Sequence, residues 1–273
     1  MNILQSRIAA LSSLLLIISL AFTINFYPLS LHPNEYILNP DGDGLKNYYV
    51  AMFQLTQEEA ILNKGMYYPW GSHLIYADAV PAFVWTIKLI ATIAPSVMDY
   101  KIGIFNSLIF GSYLLCALFV FLLLEKFLLP NWINVLVSIP MVLLSPQIYR
   151  IPAHYGLAYA FIIPLWILLL YNYFHKPSGK TLVYIFLSSL LAIFIHPYHG
   201  FNGIVLFSFF FLVAVAIHYS KTKKIKEGIR LHIGPTLAIL AAFIVFMTFM
   251  KLTDSEIDRV SNPYGMMEYR SKM

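Results

Sequence analysis

The chain has a single cysteine, Cys116, in 273 residues. One thiol builds neither an intrachain disulfide scaffold nor a thiolate zinc cluster. Charge is scarce too: Asp, Glu, Lys and Arg make up 11% of the residues, against about 25% in soluble domains. No GxGxxG, GxSxG or HExxH occurs, so the sequence offers no dinucleotide fingerprint, nucleophile elbow or zincin helix. Ser178-Gly179-Lys180-Thr181 hints at a phosphate loop, but Phe174 stands where its first glycine is required, and an apolar run follows. No internal repeat is present. Apolar residues, by contrast, make up 59% of the chain, and the mean hydropathy is +0.72. A soluble domain carries about 45–50% apolar residues, so the surplus must face lipid. An ordinary cytosolic enzyme and a disordered chain are both excluded.

A helix needs about 20 mostly apolar residues to cross the hydrocarbon layer. Ile8–Phe26, Ile102–Leu124, Gly156–Phe174, Thr181–Ile195 with its flanks, Gly203–Tyr219 and Ile233–Met250 qualify. Trp132–Ser145 is shorter and holds Pro140, but the short loops around it require a crossing. The expected fold is therefore an all-α polytopic membrane protein of about seven transmembrane helices with a long first outer loop. Ile8–Phe26 is expected to remain as an anchor, because no small-x-small cleavage site follows it. Phe83–Ala94 lies between Pro81 and Pro95 and is too short to span. It reads as a helix on the outer surface, with Trp85 and Lys88 at headgroup level. Organisation follows: 1–31 as the first crossing, 32–100 as the outer loop with surface helices, 101–251 as a bundle of about six crossings, and 252–273 as an outer polar tail.

Lys and Arg in short loops favour the cytoplasmic side. Arg7, Lys126, Lys176 with Lys180, and the run Lys221, Lys223, Lys224, Lys226 and Arg230 all fall on one side when the N-terminus is cytoplasmic and the C-terminus outside. The basic pI near 9.1 then reflects topology, and a nucleic-acid partner is not expected.

Leu31–Pro81 is the one long polar stretch, with Glu35, Asp41, Asp43, Glu58, Glu59 and Asp78 balanced only by Lys46 and Lys64. Its aromatic content argues for order. Leu45, Tyr48, Tyr49, Met52 and Phe53 share one helix face, which predicts a surface helix from about Gly44 to Asn63, stopped near Gly65. Asp41-Gly42-Asp43-Gly44 places carboxylates at its start. Asp43 is either an N-cap or a catalytic or metal-binding group, and a carboxylate committed to backbone N–H groups is the poorer base. Met66–His73 and Tyr76–Pro81 form either an interfacial aromatic belt or a pocket wall, with His73 or Asp78 reaching the hydroxyls of a sugar ring. Arg150 and His154 lie in the next outer loop, where Arg suits phosphate. His196 and His199 close the fifth crossing. Pro197 works against their sharing a metal, which leaves pocket lining or interfacial anchoring.

The long acidic loop after a first helix, with surface helices inside it and a hydrophobic bundle behind, resembles the GT-C superfamily of membrane glycosyltransferases. More narrowly, Gly42–Tyr49, Gly65–His73, Tyr76-Ala77-Asp78, Arg150–His154 and His196–His199 resemble a bacterial GT-C-like group. The resemblance implies sugar transfer from a polyprenyl-phosphate donor to an envelope acceptor on the outer face of the bacterial inner membrane. An early loop carboxylate would be base or metal ligand, and it maps to Asp43, with Asp41 as its pair. It implies a divalent cation, Mg2+ or Mn2+, as the candidate cofactor, and Arg150, His154, His196, His199, His73 and Asp78 as substrate-binding residues. GT-C members are usually longer, and Asn262–Arg270 reads as the opening of a further outer segment, so a truncated member is expected. The alternatives are a transporter or flippase of a lipid-linked intermediate, or a non-catalytic truncated membrane protein. Ionisable residues avoid mid-span and no second half-repeat is present, which argues against transport.

The topology makes a direct prediction. A thiol reagent that cannot cross membranes is expected to label Asp43→Cys in intact cells, and Lys223→Cys only after permeabilisation; the reverse pattern would turn the protein over.

Overall fold

Inside a bilayer every backbone N–H and C=O must find a partner within the chain, and helices provide one locally. The protein follows that rule. A computed structural model describes residues 6–39, 42–66, 69–151 and 154–254. Within them run α1 (Arg7–Asn25), α2 (Gly42–Thr56), α3 (Pro81–Ile93), α4 (Lys101–Leu124), α5 (Asn131–Leu143), α6 (Ile162–His175), α7 (Gly179–Ile195), α8 (Pro197–Thr222), α9 (Ile225–His232) and α10 (Gly234–Thr253). A two-residue antiparallel ladder, β1 (Leu62–Asn63) with β2 (Ser72–His73), interrupts the all-α plan.

Among the described residues, six stretches are long and apolar enough to cross a membrane: Arg7–Asn25, Pro95–Phe127, Asn131–Arg150, Tyr155–His175, Pro197–Thr222 and Gly234–Thr253. The chain is thus built as a multi-pass membrane protein. α7, with 17 residues, is shorter than these. It packs against α6, α8 and α10. Outward-facing Ile8, Ile24, Leu136, Leu144, Val205, Leu212 and Ile244 are exposed. That apolar exterior is what a lipid-facing surface requires. The core lies along α1, α4 and α6 and includes Leu14, Ile18, Ile109, Tyr113, Phe121 and Trp166.

The two ends of the bundle differ. At one end Arg7 makes a forked ion pair with Glu125, at 2.7 and 3.0 Å. There Tyr171 donates to the carbonyl of Lys126 and Tyr173 to that of Leu231, joining α6 to the exits of α4 and α9. All four basic segments expected on one side lie at this end. Ser178 caps α7 by accepting from the N–H of Thr181, so the Ser-Gly-Lys-Thr run is a helix start. At the opposite end the segment after α1 is docked on the start of α4. Asn34 donates to the carbonyl of Asp99 and accepts from the N–H of Gly103, while Asn106 donates to the carbonyls of Pro33 and Tyr36. Tyr48 of α2 donates to Asn106, tying the outer loop to the bundle.

The long loop after α1 departs from its expected shape. α2 ends at Thr56, seven residues short of Asn63, and Gly65 lies beyond β1 under the Phe53 ring. The reason is Lys88 on α3, which donates to the carbonyls of Gln54, Gln57 and Glu59 and so closes the helix end. Trp85 donates to the carbonyl of Ala60 at 2.7 Å. Both side chains therefore hold the loop. The buried face of α2 is also rotated from the aromatic one: Gly44, Asn47, Tyr48, Ala51, Gln54 and Leu55 face inward, while Leu45 and Tyr49 are exposed. Asn47 and Gln54 turn inward because loop groups there, the Asp78 carboxylate and the Glu59 carbonyl, accept their amide hydrogens. α3 itself packs on α2 and α7 and buries Val84 and Ile87, with Leu89 and Ile93 outward.

Lys88→Met leaves the Gln57 carbonyl without its donor, while the Gln54 carbonyl keeps the N–H of Gln57 and the Glu59 carbonyl keeps the Gln54 amide. A net hydrogen bond is worth about 0.5–1.5 kcal/mol, so the variant should melt slightly earlier than the wild type in detergent; an unchanged melting point would remove Lys88 from this role.

Candidate functional site

The loops at the end of the bundle opposite the lysine run bring four distant segments together. Asp43 lies in the first turn of α2, where a carboxylate complements the helix dipole. It is not the N-cap, because the helix already begins at Gly42. Its carboxylate is half exposed and faces a lysine and a histidine. Lys46 Nζ lies 3.6 Å from Oδ1, and His154 Nε2 lies 3.7 Å from Oδ2.

Asp78 lies below, with its side chain only 15% exposed. Its backbone has φ of +62°, a left-handed conformation that Asp tolerates better than most residues. Asn47 donates to Asp78 Oδ2 at 3.1 Å and to the carbonyl of Asp43 at 2.7 Å, so one amide stitches the two segments together. Lys46 Nζ stands 3.9 Å from Asp78 Oδ2, and His196 Nε2 stands 3.5 Å from Oδ1. Burial raises the Asp78 carboxyl above the usual range, opposed by the Asn47 hydrogen bond and by Lys46 and His154, and reinforced by Asp43.

His196 caps α8. Its extended backbone suits the residue before Pro197, and Pro197 takes the first helical position, where it is tolerated. The His196 Nδ1 accepts from the N–H of Tyr198, which leaves the ring proton on Nε2, facing Asp78. Burial, with the positive charges of His154 and Lys46, lowers the His196 pKa to about 4. The ring packs on Gly156, where a Cβ would stand 2.7 Å from it. His199 turns the other way, its Nε2 2.9 Å from the carbonyl of Gly156. The two rings therefore do not aim at one point.

The structure thus brings together Asp43, Asp78, His154 and His196, with His199 against the same loop. Arg150 ends a short 3-10 turn with its side chain exposed, and its carbonyl accepts from the N–H of His154. His73 is placed elsewhere. It is buried, Nδ1 accepts from the N–H of Ile75, and Nε2 lies 3.0 Å from the Thr253 hydroxyl, which ties β2 to the end of α10. Asp41 lies outside the described residues, as do Tyr67 and Tyr68 of the aromatic segment, whose Trp70 is exposed. Lys46, Asn47 and Gly156 were not predicted as site residues. The first two follow Asp43 by three and four positions on a helix, a spacing at which side chains meet.

A divalent ion does not fit this arrangement. Among the described residues no three His, Cys, Asp or Glu side chains converge to hold a metal. The space between the two carboxylates is taken by the Lys46 ammonium. What the arrangement can do is accept a proton at a half-exposed carboxylate while presenting an ammonium and two imidazoles to an anion.

A family model described as a domain of unknown function, DUF6311, matches residues 14–270, and the chain belongs to that family. No curated protein and no solved structure matches it.

The buried imidazole sets a pH dependence. The folded His196 pKa of about 4 lies below the unfolded value of about 6.5. The unfolded chain then takes up the proton first, so this contribution to stability is full above about pH 6.5 and is lost as pH falls toward 4. Asp78 has the opposite sign, because its raised pKa favours the folded state at low pH. His196→Gln should flatten the decline of melting temperature between pH 6.5 and 4; a slope identical to wild type would show that His196 is not held neutral.

Proposed function

We propose that this member of the DUF6311 family is a GT-C-like glycosyltransferase, moving a sugar from a polyprenyl-phosphate donor to an envelope acceptor on the outer face of the bacterial inner membrane. The observation that carries the reading is the meeting of Asp43, Lys46, Asp78, His154 and His196 at one end of an apolar bundle, opposite the lysine-rich end. A lipid-linked donor keeps its phosphate at headgroup height, so its reactive sugar carbon sits just beyond the hydrocarbon layer, where these loops lie. The topology that goes with it has seven crossings, with α7 as the seventh, the basic end in the cytoplasm and the C-terminus outside.

In this reading Asp43 accepts the proton of the acceptor hydroxyl as that oxygen bonds to the sugar carbon. The bond from that carbon to the phosphate oxygen breaks, and the polyprenyl phosphate leaves with the electron pair. Arg150 and His154 offset the charge on the leaving phosphate. His196 and Asp78 hold the floor of the site and, with His199, fix the loop that carries His154. His73 supports the site at one remove, by anchoring the loop to α10. Transport of a lipid-linked intermediate is the weaker reading, since Asp, Glu, Lys and Arg in the apolar stretches lie near their ends.

A positioned base is worth about 10²–10⁴ in rate, and Asp43→Asn should lose that much transfer of a polyprenyl-phospho-sugar in proteoliposomes. A folded Asp43→Asn protein with wild-type turnover would remove Asp43 as the base. Movement of the lipid across vesicles without sugar release would favour transport.

A further inference from the structure

We propose that Lys46 is the resident cation of this site, standing where a divalent metal ion would otherwise sit between Asp43 and Asp78. Its location rests on geometry alone. Its use rests on the glycosyl-transfer reading above.

Each carboxylate divides its oxygens in the same way. Asp43 turns Oδ1 to Lys46 and Oδ2 to His154, while Asp78 turns Oδ2 to Lys46 and Oδ1 to His196. The contacts run His154–Asp43–Lys46–Asp78–His196, with the ammonium between the two carboxylates. Mg2+ needs oxygen ligands at about 2.0–2.1 Å in near-octahedral array, so a metal there would have to expel the ammonium from both carboxylates.

The ammonium is well placed to act. It is 39% exposed, and His154 beside it is 35% exposed, whereas Asp78 and His196 are covered. Contacts of 3.6 and 3.9 Å at a half-exposed position are weak ion pairs. Leaving them costs little. Lysine binds phosphate as a compact point charge on a flexible stem. When a phosphate monoester or diester arrives, Lys46 turns to its oxygens. Asp43 Oδ1 loses its counter-ion at that moment and becomes the freer base. One lysine thereby couples arrival of the anion to activation of the carboxylate, a service a fixed metal ion would not provide.

Two measurements on the purified full chain test this. In the first, Mn2+ is titrated into the protein and followed by electron paramagnetic resonance. Wild type should leave the free Mn2+ signal unchanged, Lys46→Glu, which puts a third carboxylate where the ammonium stood, should take up one ion, and Lys46→Glu with Asp78→Asn should lose that uptake. One equivalent of Mn2+ bound by wild type and released in Asp43→Asn overturns the proposal. So does a folded Lys46→Glu protein that binds none. In the second, sugar transfer is followed with and without EDTA. Wild type should be unaffected by the chelator, Lys46→Met should fall about 10²-fold, the usual loss for one charge-stabilising group, and Lys46→Arg should recover part of it. Transfer that stops in EDTA and returns with Mg2+ overturns the role of Lys46 and leaves the glycosyltransferase reading standing. No transfer under any condition defeats that reading, and the Mn2+ titration then decides the place of Lys46 by itself.

Discussion

A carboxylate placed under a loop at the membrane surface loses much of its hydration, and the loop can fold over it only if partners come from elsewhere. Asp78 is that group. Asn47 and Lys46 from α2 and His196 from the α7–α8 junction all approach it. Each partner has its own support. Asn47 is held by the carbonyl of Asp43, His196 by the N–H of Tyr198 and by the space Gly156 leaves, and α2 by Tyr48 on Asn106. One buried charge therefore makes the position of α2 depend on α4, on α8 and on the loop before α6. Asp43 and His154 meet at the surface because that buried layer is in place.

The bundle beneath is simpler in kind. Apolar helices need little more than length to be read, and charge has been driven to their ends. Asn106 is an instructive exception, a buried amide near the start of α4. It takes the carbonyls of the segment that crosses above it, Pro33 and Tyr36, and also accepts from Tyr48. Polar residues in such positions hold the outer loop to the membrane-spanning part.

Hydropathy made most of the helices legible, and the basic segments correctly fell at one end. That a separate short helix stands between Pro81 and Pro95 was also legible, from its bounding prolines. Other features needed tertiary information. The end of α2 is set by Lys88, a residue more than thirty positions away from it, which no local propensity reveals. The helix face that looked apolar in sequence is partly exposed, because Asn47 and Gln54 have better partners inside than Leu45 or Tyr49. His73 carried the same signal as His154, a histidine in an aromatic outer segment, yet it serves the end of α10. Within the site, Asp43, Asp78, His154 and His196 were visible as polar points in the loops between apolar stretches. That Lys46 and Asn47 join them was hidden, since a lysine and an asparagine after an acidic turn read as ordinary helix surface.

What the account stands on is that the residues of this layer act as one unit. The most direct check is a double-mutant cycle for Asp78→Asn and His196→Gln, read as unfolding free energy of the full chain in detergent. Residues sharing a network couple by about 0.5–3 kcal/mol, and a value in that range is the expected result. Two single effects that simply add would mean that Asp78 and His196 are neighbours without a shared role, and the site would have to be drawn again.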